Sequence, residues 1–248
     1  MTGARTGAAP RTCALLALSC CCAAAPAASA RAASARIHPA LAPAAPGVRT
    51  AFTFAYSLQD TEAGVPPPLR SVVVHLPLGL GLDLGGAATC APARVRRSGP
   101  SGCPQRSLIG RGHAVLEVHA GSQSIPEEAV VWAIRVPDRG GHSALAIFGR
   151  GETPLVQQST SMATVLPDRP PYGSMLSVSV PAIPTVVYEP DASVISFSMT
   201  LGGPRAHAGG VTLPRRCPAG GLPFAAGFTF ADQTRALAAA HLPCPRRG

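Results

Sequence analysis

The chain has 248 residues, of which 46% are hydrophobic and 13% are charged, and this composition excludes wholesale disorder. Its formal net charge of +9 comes from arginine alone, because the sequence contains no lysine. The arginines are scattered and only 4% of the residues are aromatic, so the chain offers little on which bases could stack. We therefore expect a mildly basic surface and no binding of nucleic acid.

Residues 1–30 have the pattern of an export signal. Arg5 and Arg11 precede an apolar run over 13–28, and Ala28-Ser29-Ala30 forms an A-x-A cleavage pattern. The sequence therefore predicts a mature chain that begins at Arg31 and is located outside the cytoplasm, either secreted or in the cell envelope.

The signal also contains a run of three cysteines that begins at Cys20. This run loosely resembles a lipid-attachment site, although Ala17 stands where such sites carry leucine. After the signal, no stretch reaches the roughly 18 apolar residues that a membrane helix needs. We expect secretion without an anchor, and association with a membrane only if Cys20 carries a lipid.

Residues 31–48 are rich in alanine and proline and are predicted to form a linker. From residue 49 onward, short apolar runs alternate with polar residues and are separated by Gly, Pro or Asp, as in a strand-rich protein. The clearest are 52–58, with Phe52, Phe54, Tyr56 and Leu58 on one face, and 193–202, with Ile195, Phe197, Met199 and Leu201 on one face. The other runs lie at 70–77, 113–119, 129–137, 143–149, 153–167, 172–181, 222–232 and 235–243.

About ten short strands indicate an all-β fold, most simply a β-sandwich that is immunoglobulin-like or similar. The domain is expected to span 49–248, either as one unit or as two small packed sandwiches divided near residue 168. Residues 233–241 are the one alanine-rich segment that could form a short helix instead.

Four cysteines follow the signal: Cys90, Cys103, Cys217 and Cys244. An even number in an exported chain indicates disulfides, and three pairings are possible. The sequential pairing is favoured because each pair then brackets a stretch rich in Pro and Gly. Zinc is disfavoured because the chain after the signal has no C-x-x-C.

The sequence GPSGCPQRSLIGRGH at 99–113 raises the question of a catalytic loop. It resembles the GDSGGP loop of trypsin-like proteases, but Pro100 and Cys103 replace the Asp and the second Gly. Gly110-Arg111-Gly112 lacks the third glycine of a dinucleotide motif, and 141–145 lacks the closing glycine of a nucleophile elbow. We therefore interpret 99–113 as a turn closed by a disulfide, followed by a strand that starts near His113.

Other polar residues form no coherent catalytic or metal-binding set. His113, Glu117 and His119 share one face of a predicted strand, but its ends lie roughly 20 Å apart, too far for one ion. The carboxylate pairs are interpreted as turn residues, and of the three aromatic residues that could form a sugar platform, Trp132 is expected in the core. These pairs are Glu127 and Glu128, Asp60 and Glu62, and Glu189 and Asp191; the other two aromatic residues are Tyr172 and Tyr188. No catalytic, cofactor-binding or metal-binding residue is predicted.

Four segments resemble a family of uncharacterised exported proteins from high-GC Gram-positive bacteria. They are LPLGL before Cys90, GPSGCPQRSLIGRGHA, YGSMLSVSVPAIP, and CPAGGLPFAAGFTFAD before the last Cys. The resemblance spans roughly 70–245 and implies an exported, disulfide-bonded, β-rich protein of unknown role. Such sequences often have Gly where this chain has Gln233, so its last turn is expected to differ.

We expect a non-enzymatic extracytoplasmic protein that recognises an envelope polymer or a surface protein. The alternative is an exported hydrolase or carbohydrate-active enzyme, built from residues of distant strands such as His75, Glu117, His142 and Asp168. The two can be separated by whether those side chains converge in a cleft.

Overall fold

A computed structural model describes residues 2–3, 33–42, 49–60, 65–120, 123–153, 156–185, 188–202, 210–218 and 220–244. Apart from residues 2–3, the predicted export signal with Cys20 lies outside this part of the chain. The strands are β1 (Ser34–Ala42), β2 (Arg49–Gln59), β3 (Leu69–Pro77), β4 (Gly81–Asp83), β5 (Leu108–Ala120), β6 (Gln123–Arg139), β7 (His142–Thr153), β8 (Gln158–Pro167), β9 (Tyr172–Ser179), β10 (Ser193–Leu201), β11 (Gly210–Thr212), β12 (Leu222–Phe230) and β13 (Arg235–Leu242). A helix, α1 (Pro92–Ser98), and two 3-10 turns (Gly99–Gly102 and Gln105–Ser107) complete the described elements.

The strands form one antiparallel sheet, which confirms the all-β prediction. Its order is β13-β12-β3-β9-β8-β7-β6-β5-β10-β2-β11-β4, and β1 pairs with β2. All ten predicted strands are present. They follow one continuous hydrogen-bonded order rather than two separate sheets. Because β8 and β9 pair directly on either side of Asp168, both halves of the chain belong to the same sheet.

The segment predicted to be a linker at 31–48 contains a strand, β1. Ser34–Ala42 runs antiparallel to β2, with Ile37 opposite Tyr56. Ile37 and Pro39 are buried and their chain neighbours are exposed, which is the period-two pattern of a strand with one buried face. Proline is compatible with β1 because, among the described strands, this strand pairs only with β2, which leaves its other edge without ladder hydrogen bonds.

The sheet curls so that strands distant in its order meet. β1, which is paired to β2, also packs against β13 from the other end of the order. Phe52, Phe54, Tyr56 and Leu58 of β2 are all buried, as their alternation predicts. We call the side of the sheet that carries these residues the inner face and the opposite side the outer face.

The stretch after Cys90 forms a cap on the outer face rather than turns alone. α1 begins with Pro92 in its first turn, where a missing N–H costs nothing, and ends at Gly99, whose φ of 58° suits glycine. Val95 of α1 is fully buried and packs with Cys90 and Phe148 in a small cluster separate from the main core. The Cys90–Cys103 disulfide encloses this cap.

The alanine-rich segment at 233–241 is a strand rather than a helix over most of its length. β13 pairs with β12 in register from Arg235 opposite Thr229 to Leu242 opposite Leu222. The hydrogen bonds to β12 therefore override the intrinsic helix propensity of alanine.

Candidate functional site

The inner face lines a mostly apolar cavity of about 160 Å³. Strands β2, β3 and β5 to β10 all contribute side chains to its wall. Along β6 alone the wall runs from Glu127 to Ala133, which at the rise of a β-strand is about 20 Å. A cavity of this volume and length is a narrow channel.

Small residues keep this channel open. Ala114, Ala129, Ala133 and Gly149 occupy inward positions on the central strands β5, β6 and β7, where larger side chains would fill the space. A methyl group added at Gly149 would meet Val131 at 3.5 Å, an ordinary van der Waals contact. The position therefore has room for a side chain although the sequence places none there.

The wall is mostly apolar and carries polar side chains at several positions. Leu80, Leu82 and Val211 line one end, where the short strands β4 and β11 pair with each other. Glu127 lies at the far end of the β6 wall from Ala133. Uncharged polar side chains follow the β8 side of the channel, namely Gln157, Ser159 and Ser161. Gln157 accepts the backbone N–H of Gly151 at 2.8 Å, and Ser159 is paired with Gly149 in the middle of the wall.

Glu127 is the acidic side chain of the wall. It lies in a strand and not in a turn, so its interpretation as a turn residue was wrong. It lies within β6 opposite Leu116 of β5, and only 5% of it is exposed. Burial raises the pKa of its carboxyl group. Among the described residues no side chain or backbone group forms a hydrogen bond or ion pair with that carboxyl. Its neighbour Glu128 points to the opposite face and is exposed.

A second ionisable group on the wall is Tyr56. Its ring stacks on Phe197 at 5.2 Å between centroids and meets Phe228 edge-on at 5.0 Å. Burial raises the pKa of its phenol, so the hydroxyl is uncharged at physiological pH.

On the outer face, the structure brings together two of the four residues named for the hydrolase alternative. His75 Nδ1 and Asp168 Oδ2 lie 2.6 Å apart, and the His75 ring lies 5.1 Å from the Tyr172 ring. Burial raises the pKa of Asp168, but the hydrogen bonds from His75 and from the backbone N–H of Arg169 outweigh it, so the pKa is lowered overall. The carboxylate is therefore ionised and fixes the orientation of the imidazole.

No nucleophile accompanies this pair in the part of the chain that the structure describes. Within the described part of the chain, no hydroxyl or thiol is hydrogen-bonded to His75. Glu117 accepts a hydrogen bond from Ser124 at 2.6 Å, and His142 opens β7 opposite Arg139. The geometry thus supplies an oriented histidine and no reacting group beside it.

The remaining predicted site residues do not converge. His113 is exposed on the outer face, the side chain of His119 lies outside the described set, and the described residues contain no cluster of three metal-ligating side chains. Asp191 pairs with Arg70 at 2.7 Å, and Glu62 lies outside the described residues. No carboxylate pair faces another across a cleft among the described strands.

Trp132 lies on the outer face, where it is half-buried and packs against the small cluster under the cap, with its ring 5.9 Å from that of Phe148. The prediction that it belongs to a core therefore holds for this second cluster and not for the main core. Arg111 and Arg150 lie 5.7 and 5.8 Å from the ring centroid, within the range of a cation–π contact. Tyr172 lies beside His75, and Tyr188 is fully exposed. Among the described residues, the ring contacts of these three aromatic residues do not join them into one platform.

Residues 99–113 are structural, as interpreted from the sequence. The structure pairs Cys90 with Cys103 and Cys217 with Cys244, the sequential pairing that the spacing favours. β5 begins at Leu108 rather than near His113, and Gly110 lies within this strand. A methyl group at Gly110 would approach the carbonyl oxygen of Thr200 to 2.5 Å, so glycine there allows β10 to pack closely.

No family model, curated protein or solved structure matches the chain. Its two disulfides are consistent with an extracytoplasmic location. Among the described helices, none has the length and apolar character needed to cross a membrane.

Proposed function

We propose that this protein is a non-enzymatic, exported binding protein that holds the apolar chain of an envelope or extracellular ligand inside its sheet. The single observation that carries this proposal is the channel. Apolar cavities of this volume remain dry and take up apolar molecules, since water gains too few hydrogen bonds inside them. A hydrocarbon chain is long and slender enough to follow a channel about 20 Å in length.

The proposed binding site is in the interior, whereas the sequence led us to expect recognition at the surface. An envelope polymer or a surface protein would bind to an exposed surface, whereas the apolar channel lies on the inner face of the sheet. The hydrolase alternative has the His75–Asp168 pair in its favour, but this pair lies on the outer face, away from the channel. A binding role for the interior therefore agrees best with the geometry.

The test is uptake of an apolar molecule by the purified, disulfide-bonded protein. We would titrate it with dodecanol and detect one-to-one complexes by native mass spectrometry. Gly149→Leu places a branched side chain in the channel, and Gly149→Ala is the matched control because it adds a single carbon at the same position. The expected result is uptake by the wild type and by Gly149→Ala, with a loss of at least about tenfold in affinity in Gly149→Leu.

A loss of binding in Gly149→Leu counts only if this variant is folded. Circular dichroism and thermal unfolding establish whether Gly149→Leu retains the native sheet. Folded wild-type protein that takes up no dodecanol would overturn the proposal, and so would a folded Gly149→Leu variant that binds as well as the wild type.

A further inference from the structure

We infer that the ligand of the channel carries a hydrogen-bond-donating head group, an amine or a hydroxyl, which binds to the carboxyl of Glu127. This inference rests on the proposed function and assigns the chemical class of the ligand. Its hydrocarbon chain extends from Glu127 along β6 toward Ala133, and the end of the chain lies near Leu80 and Leu82.

The first support is the position of the Glu127 carboxyl. It is 95% buried, it lines the channel, and it has no hydrogen-bond or ion-pair partner within the described structure. The carboxyl oxygens keep a small contact with solvent, because Arg135 Nε is the one side-chain nitrogen or oxygen of the described residues that is both fully buried and without a partner. A carboxyl that is this poorly hydrated and has no protein partner is open to a ligand that donates a hydrogen bond. The carboxyl accepts hydrogen bonds, so its natural partner is a donor.

The second support is the charge of the wall. None of the described residues that line the channel is an arginine or a histidine. A carboxylate or phosphate head group would therefore meet no counter-charge and would lie near the acidic Glu127. Like charges in a poorly solvated site repel, so the wall disfavours anionic amphiphiles.

The third support is the position of Gln157 on the wall. Its carbonyl accepts the backbone N–H of Gly151, which pairs with Ala129, two residues from Glu127 on β6. The side-chain amide of Gln157 can donate and accept hydrogen bonds with a head group in the channel. The other polar side chains of the wall are the hydroxyls of Tyr56, Ser159, Ser161 and Thr185, so Glu127 is the carboxyl among the polar groups that an amine or a hydroxyl head group could meet.

Three probes with the same chain length test the inference: dodecylamine, dodecanol and dodecanoic acid. Each is titrated at neutral pH, below its aggregation concentration, into the full disulfide-bonded protein. We expect the amine to bind most tightly and the acid most weakly, with about a tenfold difference between them. Glu127→Gln should remove most of that difference.

Glu128→Gln is the matched control, because it removes the same charge from the adjacent residue on the outer face. It should leave the order of the probes unchanged. Equal binding of the three probes, tighter binding of the acid, or an unchanged preference in Glu127→Gln would overturn the inference and leave the proposed function intact. If none of the probes binds, both fail.

Discussion

At the scale of single residues, the turn between β12 and β13 contains a residue in a strained backbone conformation. Gln233 has a φ of +69°, in the left-handed region that favours glycine. The turn is held by Asp232, whose carboxylate accepts hydrogen bonds from the backbone N–H and the hydroxyl of Thr234 at 2.9 and 2.6 Å. The backbone conformation therefore favours glycine at this position.

Gln233→Gly should therefore stabilise the protein. Relief of the left-handed conformation outweighs the larger backbone entropy that glycine loses on folding, which leaves a gain of about 0.5–1 kcal/mol in the free energy of unfolding. Urea denaturation measures this change. Gln233→Ala is the control, since it keeps the strained conformation and should give no comparable gain. A less stable Gln233→Gly variant would contradict the prediction.

Glu127 shows where prediction from sequence fails at the same scale. Two adjacent acidic residues after Pro126 have the composition of a turn, and nothing local distinguishes Glu127 from Glu128. The difference comes from the register of β6 against β5, which sends one side chain to each face. Register depends on pairing between strands, so the buried carboxyl could not be identified from its own segment.

At the scale of elements, alternation of apolar and polar residues was sufficient for the longer strands. It failed for β1, where alanine and proline concealed the period-two pattern of Ile37 and Pro39. It also failed for α1, which has only seven residues and is too short to show a helical period. The short strands β4 and β11 have three residues each, and their pairing with distant segments leaves no local signal.

The two disulfides contribute to stability in different ways. Loop closure alone predicts losses of about 3 kcal/mol for the Cys90–Cys103 bond and about 3.5 kcal/mol for the longer Cys217–Cys244 loop. Cys90, however, is only 1% exposed and packs against Val95 under the cap, whereas Cys217 and Cys244 are half-buried. Replacing Cys90 by alanine also leaves a cavity, worth about 1 kcal/mol.

We therefore expect removal of the Cys90–Cys103 disulfide to cost more stability than removal of the Cys217–Cys244 disulfide, the reverse of the order that loop length alone predicts. The Cys90→Ala/Cys103→Ala variant should lose about 4 kcal/mol and the Cys217→Ala/Cys244→Ala variant about 3.5 kcal/mol. Denaturant unfolding of the two variants, each with its other disulfide intact, makes the comparison. A larger loss in the Cys217→Ala/Cys244→Ala variant would show that the cap packs less tightly against β6 and β7 than the structure indicates.

At the scale of the whole molecule, the fold class follows from the sequence but the channel does not. Its wall combines residues from ten of the described strands, and their proximity results from the curl of the sheet. The small residues on β5, β6 and β7 are a signal in retrospect. Alanine and glycine in inward positions of central strands indicate space only when the facing wall is known.

The export prediction concerns the whole chain and can be measured directly. Intact mass of the protein from a secreting host, before and after reduction and thiol alkylation, should give a chain that begins at Arg31 and takes up alkyl groups only after reduction. A lipid-modified Cys20 would instead place the protein on a membrane. Alkylation before reduction would contradict the two disulfides.

The contact between β1 and β13 has a consequence for the order of folding. β1 starts at Ser34 and β13 ends at Leu242, so the sheet can close only when almost the entire chain is available. Pairings over such sequence separations form slowly. The sheet would therefore stay open until its last strand arrives, and the interior would form in a late step of folding.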